Sequence, residues 1–238
     1  MKALILAAGI GSRLGLTDIP KPMYEIAGKP VLEHNVLLCK KHNVKDICIN
    51  LYHKPEAIKN YFEDGAKWNV KISYSFEEKL LGTSGAVKNV QRFWDSLPFF
   101  VIYGDNYTEI NLSEMLNEHR VSEPLGTVAV FDREKVKNSG IAGGCVKIDE
   151  NKNLISFVEG EGQGQGQGQG YVNAGVYILK PEILDMIPSG SSDFGRDVFP
   201  SLVKKGHKLR AYVTESFIIA IDTKEALQAA RKVLNKET

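Results

Sequence analysis

The chain has 238 residues, 43% of them hydrophobic and 25% charged, with 30 basic side chains against 29 acidic ones. That is enough for one substantial buried core, and the near balance of charge excludes a global field for nucleic acid or an acidic membrane surface, so an anionic ligand must be met locally. The three cysteines, Cys39, Cys48 and Cys145, have no Cys-x-x-Cys spacing and no accompanying histidines, which excludes a disulfide framework and points to a reducing, cytoplasmic setting.

Met1-Lys2 followed by apolar residues 3–8 is too short for a signal peptide, because the run breaks at Gly9 and Arg13; it reads as a first buried strand over 2–7. No later apolar run approaches the roughly 18 residues needed to cross a bilayer. Helical spacing of Val31, Leu32, Val36, Leu37 and Leu38 predicts a helix from Pro30 to Lys41, and a strand follows over Asp46 to Leu51. Next come a helix from Pro55 to Phe62 and a strand from Val70 to Phe76. Gly82-Thr83-Ser84-Gly85 opens a helix expected to reach Trp94, with Thr83 or Ser84 as its cap, and Phe99 to Tyr103 is the next apolar strand. Alternating strands and helices make this an α/β chain with a predominantly parallel sheet.

After a short helix near Ser113 to His119 the pattern turns to strands at Thr127 to Phe131, Gly143 to Ile148, Leu154 to Glu159 and Tyr171 to Leu179. An amphipathic segment at Asp197 to Lys204, strands at Lys208 to Val213 and Phe217 to Ile221, and a helix from Thr223 to Leu234 complete the reading. Gly160 to Gly170, in which Gln-Gly repeats from Gln163 onward, has no apolar area to bury and is expected to be a mobile loop between strands.

The stretch from Leu6 to Met23 reads as a phosphate-handling loop. Glycines at 9, 11 and 15 bring backbone N–H groups to a ligand, and Arg13 and Lys21 supply cations, Lys21 being fixed between Pro20 and Pro22. An ordinary glycine-rich connection with a solvated lysine is the plainer alternative. A dinucleotide-binding loop fits less well, since Gly9-x-Gly11 is followed by Leu14 rather than glycine and the second strand ends at Asn50-Leu51-Tyr52 without an acidic residue for a ribose.

Ala8-Gly9-Ile10-Gly11-Ser12-Arg13-Leu14 followed by Pro20-Lys21-Pro22 resembles the opening signature of the sugar-1-phosphate nucleotidylyltransferases, and further motifs of that family appear in order over nearly the whole chain. The resemblance implies a Rossmann-like, GT-A-like α/β domain: a predominantly parallel mixed sheet flanked by helices, with a small mixed insertion on the sugar side. It would be a single domain, 1–238, with a nucleotide half over about 1–110 and a sugar-phosphate half over about 111–238. Ala8, Gly9, Gly11, Ser12 and Arg13 would then hold the triphosphate, with Lys21 at the α-phosphate.

Leu81-Gly82-Thr83-Ser84-Gly85-Ala86 resembles the family segment beside the base, with Glu77 where the base is read. A carboxylate only accepts hydrogen bonds, so Glu77 suits guanine, or the single imide N–H of uracil or thymine, and opposes cytosine. An exposed charge at a strand end, beside Glu78, is the alternative. Asp105 resembles the family's metal aspartate, with an Asx turn at Asp105-Asn106 as its alternative. The second metal aspartate is replaced by Ala220, and Asp222, two residues on and facing the same side of a strand, is the candidate in its place. Related cytidylyltransferases carry an Asp-Thr pair there; capping the last helix is the competing role of Asp222.

Gly140, Glu159, Asn173 and Gly175 match the sugar-phosphate segments, but the lysine expected after Glu159 is Gly160, so either another cation, such as Arg196 or Lys147, meets that phosphate or affinity for it is weakened. Glu159 and Asn173 could instead satisfy neighbouring backbone. The resemblance implies a magnesium-dependent condensation of an NTP with a sugar 1-phosphate, catalysed by Arg13, Lys21 and Asp105, most like the short heptose- or mannose-1-phosphate guanylyltransferases. Its partners would be those two substrates, without nucleic acid or membrane, and a homo-oligomer is compatible with it. A UTP-, dTTP- or CTP-dependent enzyme acting on another sugar or amino sugar, or a non-catalytic binding protein of the same fold, are the alternatives.

Overall fold

The computed structural model describes residues 1–11, 18–136, 144–159 and 170–234. β1 (Lys2–Leu6) is followed, beyond the glycine loop, by a 3-10 turn at Lys21–Met23 and a small hairpin of β2 (Glu25–Ile26) and β3 (Lys29–Pro30). Then come α1 (Val31–Lys41), β4 (Asp46–Leu51), α2 (Pro55–Phe62), β5 (Lys71–Phe76), α3 (Gly82–Asn89), β6 (Phe99–Tyr103) and β7 (Asn106–Thr108). The second half contributes α4 (Leu112–Ser122), β8 (Gly126–Asp132), β9 (Cys145–Ile148), β10 (Leu154–Val158) and β11 (Tyr171–Leu179). It ends with α5 (Phe199–Lys204), β12 (Leu209–Val213), β13 (Ile218–Ala220) and α6 (Lys224–Leu234).

One nine-stranded sheet runs through both halves, in the order β10-β9-β11-β6-β1-β4-β5, with β8 on the other side of β11 and β12 beside β8. β5, β4, β1 and β6 are parallel, because each is reached through a crossover that returns the chain to the same edge. β11 runs against β6, and its pairing with β8 slips between Asn173 and Tyr177, so the sheet becomes mixed where the helices thin out. The loops after β1, β4, β5 and β6 therefore open at one edge, where open α/β sheets bind ligands.

Ala3, Leu4 and Ile5 are fully buried, with Ala3 and Ile5 in the core under α1, α2 and α4 and Leu4 in the core under α3 and α5. Burial of Leu4 and of Ile5 contributes about 1.5–3 kcal/mol each. A third, smaller cluster joins Tyr24, Ile26 and Val31 to Ile219, Ile221, Leu227, Ala230 and Leu234, so that α6 and β13 dock on the β2–β3 hairpin. Among the described residues no helix is long and apolar enough to cross a membrane.

Two local expectations are corrected. α3 stops at Asn89, with a separate 3-10 turn at Gln91–Phe93, rather than running to Trp94. Neither Thr83 nor Ser84 caps it through its side chain. The carboxylate of Asp193 accepts from Thr83 N at 2.9 Å, and Ser192 O accepts from Ser84 N and Gly85 N, so a distant segment supplies the cap. The amphipathic segment at Asp197 to Lys204 begins as a π-turn, Phe194–Val198, that continues into α5. The glutamine-glycine repeat over 160–169 lies outside the described residues.

His119 on α4 is 1% exposed; its Nδ1 lies 2.8 Å from Thr127 Oγ1, while Nε2 has no partner. Burial, aided by the charges of Lys180 and Arg120, lowers its pKa to about 4 from 6.5. The unfolded chain therefore takes this proton before the folded one, and stability falls as pH drops from 6.5 towards 4. Between pH 7 and 4.5 the loss assignable to His119 is expected to be about 2 kcal/mol. Urea midpoints of the parent and His119→Gln, measured at both pH values, should show a shallower acid loss in the variant; equal losses would remove His119 from that account.

Candidate active site

Gly104 ends β6 by hydrogen-bonding its N–H to Leu6 O at 2.9 Å, and a Cβ there would lie 2.7 Å from that oxygen, so only glycine allows β6 to turn so close to β1. The turn projects Asp105. Asn35 on α1 brackets it, donating to Gly104 O at 3.3 Å and Asn106 O at 3.0 Å. On the other side β13 pairs with β7 and Ile221 N donates to Asp105 O at 3.2 Å, which delivers Asp222 to the same edge.

Between the two aspartates stands Lys21, buried on its 3-10 turn and preceded and followed by proline. Its Nζ donates to Asp105 Oδ2 at 2.5 Å and to Asp222 Oδ1. Burial alone would lower the Lys21 pKa, but the charges of Asp105 and Asp222 and their hydrogen bonds reverse this and raise it, so the ammonium stays charged. The competing role of Asp222 as helix cap falls to its neighbour: Thr223 Oγ1 accepts from Ala226 N at 3.2 Å and Thr223 O from Leu227 N at 3.0 Å. Two carboxylates already sharing one cation form a hard-oxygen donor set that suits magnesium completed by water and phosphate oxygens. Asp105 and Asp222 would hold that ion.

Along the same edge Ala8 is buried, Gly9 is open, with nothing within 4 Å of where a Cβ would stand, and Gly11 takes φ +72°. Ser12 and Arg13 lie outside the described residues. Glu77, far from being an exposed strand-end charge, is 2% exposed, with Oε1 accepting from Asn50 Nδ2 at 2.8 Å and Oε2 from Leu81 N at 3.0 Å. Gly82 has φ +72° and packs against Ser192 O, while Thr83 Oγ1 donates to Asp193 Oδ1 at 3.2 Å and accepts from Phe194 N at 2.9 Å.

The sugar-side candidates gather around β11. The Glu159 carboxylate lies in a gap kept by two glycines: a Cβ on Gly195 would sit 1.8 Å from Glu159 Oε2 and one on Gly144 2.9 Å from it. Burial, and the neighbouring Asp193 charge, raise the Glu159 pKa against the opposing influence of Arg196. Arg196 itself is ion-paired with Asp193. Of the two cations considered for the missing lysine, Arg196 is thus the one whose charge is felt at Glu159, whereas Lys147 is exposed on β9 opposite Ser156.

Asn173 is engaged at both ends, donating to Tyr177 OH at 2.8 Å and accepting from Gly175 N at 3.1 Å, and Tyr177 OH donates to Tyr103 OH at 3.1 Å. Gly175, at φ +73°, could not carry a Cβ without meeting Asn106 Nδ2 at 2.9 Å. Gly140 lies outside the described residues.

Asn35, Asn50, Asp193 and Tyr177 escape the sequence reading. The first two carried a signal, since a lone asparagine inside an apolar helix face or strand must find partners when buried. Asp193 carried none for its capping role, because Thr83, which it caps, is on α3 far away in sequence.

Residues 2–218 match the family model described as nucleotidyl transferase. The chain is 35% identical to the UTP–glucose-1-phosphate uridylyltransferase of Synechocystis, over 100% of this chain and 64% of that protein. It is 34% identical to the D-glycero-alpha-D-manno-heptose 1-phosphate guanylyltransferase of Campylobacter jejuni, over 94% of this chain and 96% of that one. The crystal structure of HddC from Yersinia pseudotuberculosis complexed with GMP-PN superposes with a TM-score of 0.81 at 28% identity, covering 98% of both chains. The chain spans just under two thirds of the Synechocystis protein but nearly all of the other two. Its strand-edge loops, its Lys21 bridge and the match over 2–218 agree: the chain belongs to the nucleotidyl transferase family.

Proposed function

We propose that the protein condenses an NTP with a sugar 1-phosphate to give an NDP-sugar and pyrophosphate, with GTP and heptose or mannose 1-phosphate as the favoured pair. The observation that carries this reading is the meeting of Asp105, Asp222 and Lys21 at the open edge of the parallel strands. Supporting the guanine and heptose choice are the near full-length matches to the Campylobacter guanylyltransferase and to the Yersinia protein bound to GMP-PN.

In the reaction an oxygen of the sugar phosphate attacks the α-phosphorus, the bond from that phosphorus to the α,β-bridging oxygen breaks, and pyrophosphate leaves with the electron pair. Negative charge grows on the α-phosphate and the leaving group, and fixed cations and N–H groups aimed there lower the barrier. Lys21 suits the α-phosphate because its backbone is set by prolines and its ammonium is held charged. The backbone of Ala8 to Gly11 and Arg13 suit the triphosphate, with Gly82 and Thr83 towards the nucleoside. A magnesium ion held by Asp105 and Asp222 would add charge neutralisation at the phosphates. Glu159, Asn173 and Gly175 suit the sugar, with Gly140, and Arg196 takes the place of the lysine absent at Gly160. No protein nucleophile is needed for this in-line displacement, and burial pushes the thiols of Cys39 up to about 12 and Cys48 to about 11, so neither is a thiolate at neutral pH.

The similarity to the Synechocystis enzyme favours a second reading, UTP with glucose 1-phosphate. Purified protein should be incubated with GTP, UTP, CTP or dTTP, magnesium and heptose, mannose, glucose or amino-sugar 1-phosphates, with pyrophosphate release recorded. The highest kcat/KM is expected for GTP with heptose or mannose 1-phosphate, abolished by chelator and restored by magnesium. A preference for UTP with glucose 1-phosphate supports the second reading, and no turnover with any pair supports a non-catalytic binding protein.

A further inference from the structure

We propose that Asn50 and Glu77 form a buried relay that sets the separation between the triphosphate loop and the base-side loop, which makes Asn50 a positioning residue for nucleotide binding. The relay is a single file of hydrogen bonds across the ends of three parallel strands. Ala7 N, the first residue beyond β1, donates to Asn50 Oδ1 at 2.7 Å; Asn50 Nδ2 donates to Glu77 Oε1 at 2.8 Å; and Leu81 N donates to Glu77 Oε2 at 3.0 Å. Asn50 is 3% exposed and Glu77 2%.

The direction of every bond is forced. A backbone N–H can only donate, so Asn50 must turn its oxygen to Ala7 and its amide nitrogen to the carboxylate, which in turn accepts at both oxygens. Asn50 lies at the register of Leu6 on β1 and Ser75 on β5, the row from which both loops depart, and Glu77 N is itself fixed on Leu51 O at 2.8 Å. A buried carboxylate is costly unless hydrogen-bonded, and an apolar pair here would avoid that cost. What the polar pair does, and an apolar pair cannot, is grip one main-chain N–H in each loop. Leu81 immediately precedes Gly82 and α3, so a shift at Ala7 is carried through two side chains to the base-side loop. What the two loops bind rests on the function proposed above; the lacing itself does not.

Reversing donors and acceptors tests the relay. In Asn50→Asp a second carboxylate faces Glu77. In Glu77→Gln one oxygen must serve two donors. In the double variant N50D/E77Q, the amide introduced at position 77 donates to the carboxylate introduced at position 50 and accepts from Leu81 N. That carboxylate still accepts from Ala7 N, so every link is made, with the polarity of the central one reversed. Hydrogen exchange of the nucleotide-free protein should quicken in both 2–11 and 77–86 in each single variant and return towards the parent in the double. The KM for the nucleotide should rise about tenfold or more in N50D, with the KM for sugar phosphate unmoved; the double variant, which alters Glu77 at the base-side loop, is judged by exchange.

Exchange reads the lacing even in a protein that makes no nucleotide sugar, so failure of the relay and failure of the proposed reaction are told apart. Should N50D not fold, Asn50→Ser removes the link without adding charge and should quicken exchange at 77–86 as well as at 2–11. A double variant no better than N50D, or exchange in N50S confined to 2–11, overturns the relay.

Discussion

Asp222→Asn is expected to lower turnover by roughly 10²–10³-fold and to raise the magnesium concentration needed for half-maximal rate, the size associated with removing one fixed charge from a site that stabilises a developing anion. Ile221 N is bonded to Asp105 O, so the side chain that follows it is delivered to the same edge as the Asp105 carboxylate, and both reach Lys21. The helix-cap role belongs to Thr223, and an Asp222 that served only the helix would leave the magnesium dependence unchanged. Pyrophosphate release at graded magnesium checks the prediction: a rate loss with an unaltered magnesium midpoint would sink the assignment of Asp222 as a ligand. The melting temperature of the variant should be recorded alongside, because Lys21 is buried and loses one of two counter-charges.

Gly82→Ala is expected to destabilise the fold by about 2–4 kcal/mol and to reduce activity more than a mutation of that cost elsewhere. Gly82 takes φ +72°, which L side chains rarely adopt, and a Cβ there would lie 2.4 Å from Ser192 O and 2.9 Å from Ser192 C. Both obstacles are backbone, so no rotamer change relieves them. Relief requires moving the 192–193 segment, and that segment caps α3 through Asp193 and Ser192 and leads to Arg196. Urea unfolding and the KM for the sugar phosphate, measured together, check this. Unchanged stability would mean that α3 and the 192–193 segment are not locked as their contacts indicate.

The parallel half of the fold was legible because each strand there is a short apolar run bounded by a turn and followed by a helix of clear period; β4, α2 and β6 begin and end where the sequence places them. The glycine loop and Asp105 were legible for a related reason, since residues that leave a strand end have few other tasks. What escaped depends on contacts between distant segments. α3 looks as though it should cap itself with Thr83 or Ser84, yet Asp193 takes that role, and nothing local to α3 announces it. Glu77 reads as a base-facing carboxylate or an exposed strand-end charge, and its burial against Asn50 and Leu81 is not written in the residues around it. Asp222 was readable only as one of two roles, and what brings its carboxylate to Lys21 beside Asp105 is the β7–β13 pairing, a long-range register that periodicity cannot fix.

The small third cluster gives the site a history as well as a shape. Tyr24, Ile26 and Val31 are made some two hundred residues before the residues they bury against, Ile219 to Leu234. A nascent chain that has emerged only as far as β12 can pair its parallel strands, yet it has neither the hydrophobic seat for the hairpin beyond Lys21 nor the second carboxylate for that lysine. Assembly of the charged centre thus waits until residues 219–234 have left the ribosome, and a molecule made only as far as β12 is a sheet without a working edge.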